Sequence, residues 1–270
     1  MLRSLPLAFL LVSIGSVDAD ARQEGSDEAR PTARVADDYA LVWSDEFDGR
    51  ELDATKWAPR GLGPRKGGVT VADAITLDGE GHLRITTRRA ETESGEVEYH
   101  TGMIGTQGRF ETTYGYFEVR LRVQSEIGHW SAFWLQSPTM GQPLDDPAKA
   151  GVEVDVVEYL CNGHHRNRAQ HTLHWNGYGE EHQSAHTLHE VPDMHTGFHV
   201  FAVEWTPKEY VFFVDGQETW RFDEAVSQRS QYLILSMEVG TWAGDIAQAE
   251  LPDGVSVDYV RVFQRQSKKR

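Results

Sequence analysis

The sequence predicts an all-β protein, an antiparallel two-sheet β-sandwich or jelly roll. Three observations carry that reading. Apolar residues recur with period two from Leu41 onward, Gly, Asp and Pro turn signals separate the short runs, and no later segment holds a helical period over three turns. Successive side chains of a strand point to opposite faces, so such alternation marks a sheet with one side in a core. At about 100–200 residues per domain, the 270 residues suit one large domain.

Leu83, Ile85 and Thr87 open the series of alternating runs. From 115 to 123, Phe117, Val119, Leu121 and Val123 point one way, and Tyr116, Glu118, Arg120 and Arg122 the other. Val200, Ala202 and Glu204 alternate with Phe201, Val203 and Trp205. The run 210–214 enters Asp215-Gly216, a dipeptide suited to a two-residue hairpin turn, and the chain leaves through 219–222. Further strands fit 232–239 and 255–263. Trp205 and Trp220 are assigned to the core, where a large ring buries the most area. Lys268-Lys269-Arg270 reads as a solvated basic tail, 267–270.

Ahead of the strands, Arg3 and the apolar stretch from Leu5 to Val17 read as an export signal, too short for the ~20 residues of a bilayer span. Val17-Asp18-Ala19 and Ala19-Asp20-Ala21 both suit cleavage. With 1–19 as the signal, the expectation is a secreted or periplasmic protein. Residues 20–38 hold six acids, three Arg and no aromatic, and read as a disordered acidic linker before a folded domain at 39–266. The net charge is −16, from 42 acidic and 26 basic residues, and about −13 of it falls on the folded part. Such a balance argues against nucleic acid and anionic membrane as partners, because both are bound by neutralising phosphates. Cys161 is the single cysteine, cannot form an internal disulfide, and reads as a small buried residue. A monomer is expected.

The informative segment is Gly151-Val152-Glu153-Val154-Asp155-Val156-Val157-Glu158-Tyr159. Strict alternation puts Val152, Val154 and Val156 inward, Glu153 and Asp155 outward, and then sends Glu158 into the core, at a cost of several kcal/mol for an unpaired charge. A β-bulge at Val156-Val157 repairs this and returns Glu158 to the face of the other two acids. Like charges so close raise one another's pKa. Glycoside hydrolysis uses that effect, since it needs one carboxyl protonated as acid and another ionised as nucleophile or base. The acids are about four strand steps apart, ~13 Å along the backbone, and spacing alone leaves retention and inversion both open. Trp130 and Trp134, on one face of Gly128-His129-Trp130-Ser131-Ala132-Phe133-Trp134-Leu135, and His171, His174 and Trp175 flank the acids. Aromatic platforms beside carboxylates suit pyranose rings, whose C–H faces are apolar and whose hydroxyls bond polar groups.

With these residues the chain resembles glycoside hydrolase family 16, the jelly-roll family of laminarinases, lichenases, agarases and carrageenases. The matching elements run in order from Leu41 to Gln264: Trp43-Ser44-Asp45-Glu46-Phe47-Asp48-Gly49, Tyr114-Gly115-Tyr116-Phe117-Glu118-Val119-Arg120, the Trp130/Trp134 strand, the acid strand, His174-Trp175, and Val257-Asp258-Tyr259-Val260-Arg261-Val262. The resemblance implies a concanavalin A-like sandwich with a concave substrate cleft, Glu153 as nucleophile, Glu158 as acid/base, Asp155 as a modulator between them, and retention of configuration. The bulged motif looks like the laminarinase, agarase and carrageenase branch. Trp130, Trp134 and Trp242 are the candidate sugar platforms, with His174 placed to contact sugar or Glu158, and Glu238 a further polar contact. The resemblance also implies a structural Ca²⁺, for which Glu46 and Asp258 are the matching residues; no cofactor is expected for catalysis. Met103 stands where many laminarinases carry Arg, and Ser131 where Pro is common.

Other chemistries fit less well. Nine of twelve His fall between His164 and His199, including His171-x-x-His174 and His182-x-x-x-His186, yet no His-Glu-x-x-His occurs. A zinc hydrolase would need about three ligands around one open position, so surface positions are the blander account of these His, His174 excepted. Neither a nucleophile-elbow serine nor a phosphate-binding glycine loop is present. A non-catalytic lectin on the same sandwich is the alternative of another class, and the intact row of acids favours the enzyme. The expected activity is endo-hydrolysis of a polysaccharide, first a β-1,3-glucan and second an algal galactan. So acidic a domain disfavours heavily sulfated chains unless Arg residues cluster locally in the cleft.

Overall fold

The computed structural model describes residues 30–33, 35 and 38–266. The expected export signal at 1–19, most of the 20–38 segment and the tail at 267–270 lie outside the described residues.

Two sheets stack over one core. The first has seven strands in the order Gln183–Glu190, Arg168–Trp175, Glu153–Tyr159, His129–Gln136, Tyr232–Val239, Met103–Gly105, Ala58–Pro59. The second has eleven, with Gly115–Arg122, Asp253–Arg265 and Leu83–Glu91 adjacent at its middle. Pairing is antiparallel except where Gly68–Thr70 lies parallel to Val97–Thr101. The period-two pattern decides which face is buried. Phe117, Val119 and Leu121 from the second sheet share a core with Phe133, Val154, Val156, Leu173 and Leu235 from the first. Each such side chain stabilises the fold by about 1.5–3 kcal/mol on burial. Trp205 is wholly buried and Trp220 packs against the same core, and Cys161 is buried as expected.

Turn chemistry follows the sequence equally closely. Asp215 (φ 48°) and Gly216 (φ 78°) close the hairpin between Tyr210–Val214 and Gln217–Phe222, the left-handed geometry that Asp-Gly tolerates. Among the described residues the one α-helix is a single turn, Pro147–Ala150, whose N-cap Asp146 accepts the Lys149 N–H.

Two expectations need correction. The 20–38 segment is docked where it is described: the Thr32 N–H donates to Glu118 Oε2 (3.0 Å), the Ala33 N–H donates to the Tyr116 hydroxyl (3.2 Å), and Ala33 is buried. The outward face of the second sheet carries its own apolar cluster of Tyr39, Tyr116, Phe213 and Phe263, and covering it favours an ordered chain over a free linker. The histidines are also not all at the surface. His129 and His171 are wholly buried, each with a polar partner that makes burial tolerable: His129 Nε2 lies 3.3 Å from Asp253 Oδ2, and His171 Nδ1–H donates to the Val156 carbonyl at 2.6 Å.

The His171 bond has a structural cause. In the acid strand, Phe133 pairs Val157 while Trp134 pairs Asp155, so Val156 is the extra residue of a bulge, and its carbonyl is left off the ladder. Burial lowers the His171 pKa from 6.5 to about 4, against the pull of the Val156 hydrogen bond. Between those pH values the unfolded chain binds a proton that the folded one refuses, so stability falls as pH drops through the window, by about 3 kcal/mol from this group. His174 shifts in the same direction. Urea unfolding of a His171→Asn variant across pH 6.5 to 4 is therefore expected to show a shallower loss of stability than the wild type. Superimposable profiles would mean that the imidazole is not held neutral in the core.

Candidate active site

The acid strand is aimed by the chain just ahead of it. Gly151 sits at φ +87°, and a Cβ there would lie 2.2 Å from the Ser137 side chain, so glycine permits the sharp entry into Glu153–Tyr159. The bulge then restores one face: both Val156 and Val157 are in the core, while Glu153, Asp155 and Glu158 all line a cleft of about 400 Å³ with Trp130, Trp134 and Glu238.

Each acid has a different set of neighbours, dictated by register. Glu153 lies beside His174, Asp155 beside Thr172, and Glu158 beside Gln170. Glu153 Oε2 accepts hydrogen bonds from the Gln136 amide (2.6 Å) and from the Tyr178 hydroxyl. Glu158 Oε2 accepts from the Thr172 hydroxyl (3.1 Å), with the Gln170 amide at 3.5 Å. Asp155 is 4% exposed, and its Oδ2 is buried without a hydrogen bond, 3.5 Å from His174 Nε2.

These surroundings separate the three acids. Burial, then the charge of Glu153, pushes the Glu158 carboxyl up to about 7 against the Thr172 hydrogen bond. Asp155 is raised well above its ordinary value, first by burial and then by Glu158 and Glu153. Glu153 is raised by burial but drawn back by the Tyr178 hydrogen bond and by the charges of Lys66 and Arg65. With two donors and two cations directed at it, Glu153 is the acid best able to hold the negative charge. Burial, then Glu153, raises the Tyr178 hydroxyl, so it remains a donor. His174 is lowered to about 4, first by burial and then by His182, whose Nε2 is 2.9 Å from His174 Nδ1; it is neutral.

The expected sugar-contact residues are brought together, with one change of partner. Trp130 and Trp134 lie on the cleft face, Trp134 Nε1–H donating to Ser236 Oγ (3.1 Å). Trp242, 44% exposed, meets Trp130 edge to face at 5.4 Å. His174 faces Asp155 and Glu153 rather than Glu158, because the register sets it opposite Glu153, whereas Glu158 lies farther along, opposite Gln170. Glu238 carries two cations: Arg65 Nη2 at 2.8 Å and Lys66 Nζ at 2.9 Å.

The two residues expected to hold calcium do not form a cation site. Arg261 binds Glu46 through two hydrogen bonds (3.1 and 2.8 Å), and Arg120 Nη1 sits 2.5 Å from Asp258. Guanidinium groups already neutralise both carboxylates, and an oxygen-ligated cation would have to displace them. The zinc pattern also comes apart: His171 is buried in the core while His174 is on the cleft face. Glu153, Asp155 and His174 do place ligand atoms within 4.8 Å of one another, but those are the acids whose proton inventory suits glycoside cleavage.

Sequence reasoning missed Gln136, Tyr178 and the basic wall of Arg60, Arg65 and Lys66. Gln136 was within reach, since it continues the Trp130, Ala132, Trp134 face by one more period of two. Tyr178 lies in the turn Asn176-Gly177-Tyr178-Gly179, where nothing local points to an acid 25 positions earlier.

Comparison with known proteins agrees with this site. A sequence model described as glycosyl hydrolases family 16 matches residues 68–261. The chain is 30% identical to a keratan-sulfate endo-1,4-beta-galactosidase of Sphingobacterium multivorum, over 86% of this chain and 57% of that protein. It is 31% identical to a beta-glucanase of Rhodothermus marinus, over 84% of this chain and 85% of that protein. The fold superposes on the laminarinase catalytic domain of Thermotoga maritima with a TM-score of 0.72 at 26% identity, covering 85% of this chain and all of that one. With a family match spanning most of its length, the chain belongs to glycosyl hydrolase family 16.

Proposed function

We propose that the protein is a secreted, endo-acting glycanase that cleaves a β-linked polysaccharide with retention of configuration. The observation that carries this reading is the difference between two carboxyls in one cleft: Glu158 is pushed up to about 7, and Glu153 is raised by burial but drawn back by the Tyr178 hydrogen bond and the charges of Lys66 and Arg65. Glu158 protonates the glycosidic oxygen as Glu153 attacks the anomeric carbon. Water, deprotonated by Glu158, then releases the sugar from Glu153. Burial and the two flanking Glu charges push Asp155 toward its protonated form, which limits charge beside the nucleophile. Export to the cell exterior rests on the Arg3 and Leu5 to Val17 pattern, and suits a polymeric substrate.

For the sugar backbone, a β-1,3-glucan is the first reading, supported by the likeness to a laminarinase catalytic domain. A galactan is the second, and a specific observation favours it. Met103, where many laminarinases carry Arg, is buried in an apolar patch with Ala132, Trp134, Tyr232 and Ile234, so a laminarinase-type arginine contact with sugar is missing here. The likeness to a keratan-sulfate galactosidase points the same way.

Glu153→Gln is expected to abolish release of reducing ends while retaining polysaccharide binding, and Glu158→Gln to lower kcat/KM by about 10²–10⁴-fold. Proton NMR of the first product should show the β-anomer; initial α-product would overturn retention. Activity should fall as pH rises through about 7, where Glu158 loses the proton it must deliver. Lys66 draws both Glu153 and Glu158 downward, so Lys66→Met is expected to move both limbs of the pH–rate profile to higher pH.

A further inference from the structure

We propose that the wall formed by Arg60, Arg65 and Lys66 is a subsite for an anionic substituent, a sulfate ester or a carboxylate, on the sugar that lies against Trp130. The proposal rests on the glycanase reading and adds the substrate class that this cleft selects.

Charge is the first ground. The chain carries −16 overall, yet Arg60, Arg65 and Lys66 gather in the cleft that holds the acid row and Glu238. Arg65 Nε and Nη2 both donate to Glu238 Oε1 (3.1 and 2.8 Å), and Lys66 Nζ takes Oε2 at 2.9 Å. Arg60 bonds neutral groups, Gln107 Oε1 (2.7 Å) and the Tyr232 hydroxyl (2.9 Å), with its guanidinium over the Tyr232 ring. Arg65 and Lys66 also lower Glu153, so Arg60, whose hydrogen-bond partners are neutral, is the cation left over to face the cleft.

Placement is the second ground, because the wall is built and not a loose surface patch. Gly63–Arg65 and Gly68–Thr70 form a hairpin whose two-residue turn is Lys66-Gly67. Gly67 N–H donates to the Val239 carbonyl at 2.9 Å, and a Cβ on Gly68 would meet the Tyr99 carbonyl at 2.9 Å and Val239 at 3.1 Å. Close backbone approach thus presses the turn against the cleft strand Tyr232–Val239. Lys66 itself has φ +52°, a conformation that Gly, Asn or Asp adopts more readily. A lysine kept there trades backbone ease for a fixed ammonium.

The third ground is what the ammonium covers. Lys66 Nζ stands 4.4 Å from the centre of the Trp130 ring, held by the negative face of the indole. A neutral pyranose stacking on that face must push a cation aside. An anionic ring substituent instead meets a cation already in position, and the planar Arg forks offer paired N–H donors to its oxygens.

The test compares kcat/KM on two matched pairs of polymers: keratan sulfate with its chemically desulfated form, and carboxymethylated β-1,3-glucan with its unmodified parent. Wild type, Arg60→Gln and Lys66→Met are assayed at low and moderate salt. The expected result is a preference of about tenfold or more for the charged member of one pair. That ratio should drop about five- to tenfold in each variant and shrink with added salt. The preferred pair identifies sulfate or carboxylate. Equal cleavage of both members in both pairs, or ratios unmoved by either variant, would overturn the subsite and leave the glycanase standing. If none of the four polymers is cut, the glycanase reading fails, and affinity electrophoresis in the same four decides the subsite alone. Retardation by a charged polymer that is lost in Lys66→Met upholds it, and equal mobility in all four overturns it.

Discussion

The cleft depends on one constraint: three carboxyls on a single strand face are taken out of water together. An unpaired buried charge costs more than a hydrogen bond returns, so only an acid with donors or cations aimed at it can ionise. Glu153 meets that condition, and its partners come from separate parts of the chain: Gln136 from the neighbouring strand, Tyr178 from the turn beyond the next strand, and Lys66 from a hairpin at one end of the other sheet. Asp155 has no hydrogen bond at Oδ2 and is raised well above its ordinary value. Glu158, with Thr172 and Gln170 at one oxygen, falls between. The proton inventory is therefore a product of tertiary assembly, and an unfolded chain would lack it.

A single extra residue links that inventory to the core. Val156 lets Glu158 rejoin the cleft face while both valines stay inside. The same insertion strands a backbone carbonyl, and a buried neutral histidine from the adjacent strand takes it up. His171 lies 3.0 Å from Thr219 Oγ1 through its other nitrogen, so the bulge is tied through the core to the second sheet. The catalytic spacing and the packing of the sandwich thus share one backbone group. A change at His171 would reach the acids without touching the cleft.

The strands were legible because period two is written locally: Phe117, Val119 and Leu121, or Tyr210 to Val214 with Asp215-Gly216, declare their faces within a few residues. The bulge was legible for the same reason, since only an extra residue keeps Glu158 out of the core. What escaped depends on contacts distant in sequence. His171 falls in phase with the core residues Ala169 and Leu173, but its residue type suggested the surface, and the Val156 carbonyl that makes its burial tolerable lies 15 positions earlier. Glu46 and Asp258 looked like free oxygen ligands until Arg261 and Arg120 were found beside them. Docking of Thr32 and Ala33 on Glu118 and Tyr116 spans more than 80 positions, and an acidic, aromatic-free composition carries no trace of it.

The net charge and the basic wall act at different ranges, which is why one does not cancel the other. Beyond about 10 Å, the Debye length at 0.1 M salt, an approaching polymer feels little of the chain's −16. Closer in, the acidic surface turns an anionic chain away except where cations cluster. The wall beside Trp130 is such a place: Glu238 fixes Arg65 and Lys66, and Arg60 keeps neutral partners. An acidic exterior with a cationic arm in the cleft therefore sharpens selection: it lowers nonproductive adsorption of anionic chains and leaves productive contact to the cleft. Composition alone pointed toward a neutral glucan or a lightly charged galactan, and the local cluster that would reverse that inference is the one the hairpin at Lys66 supplies.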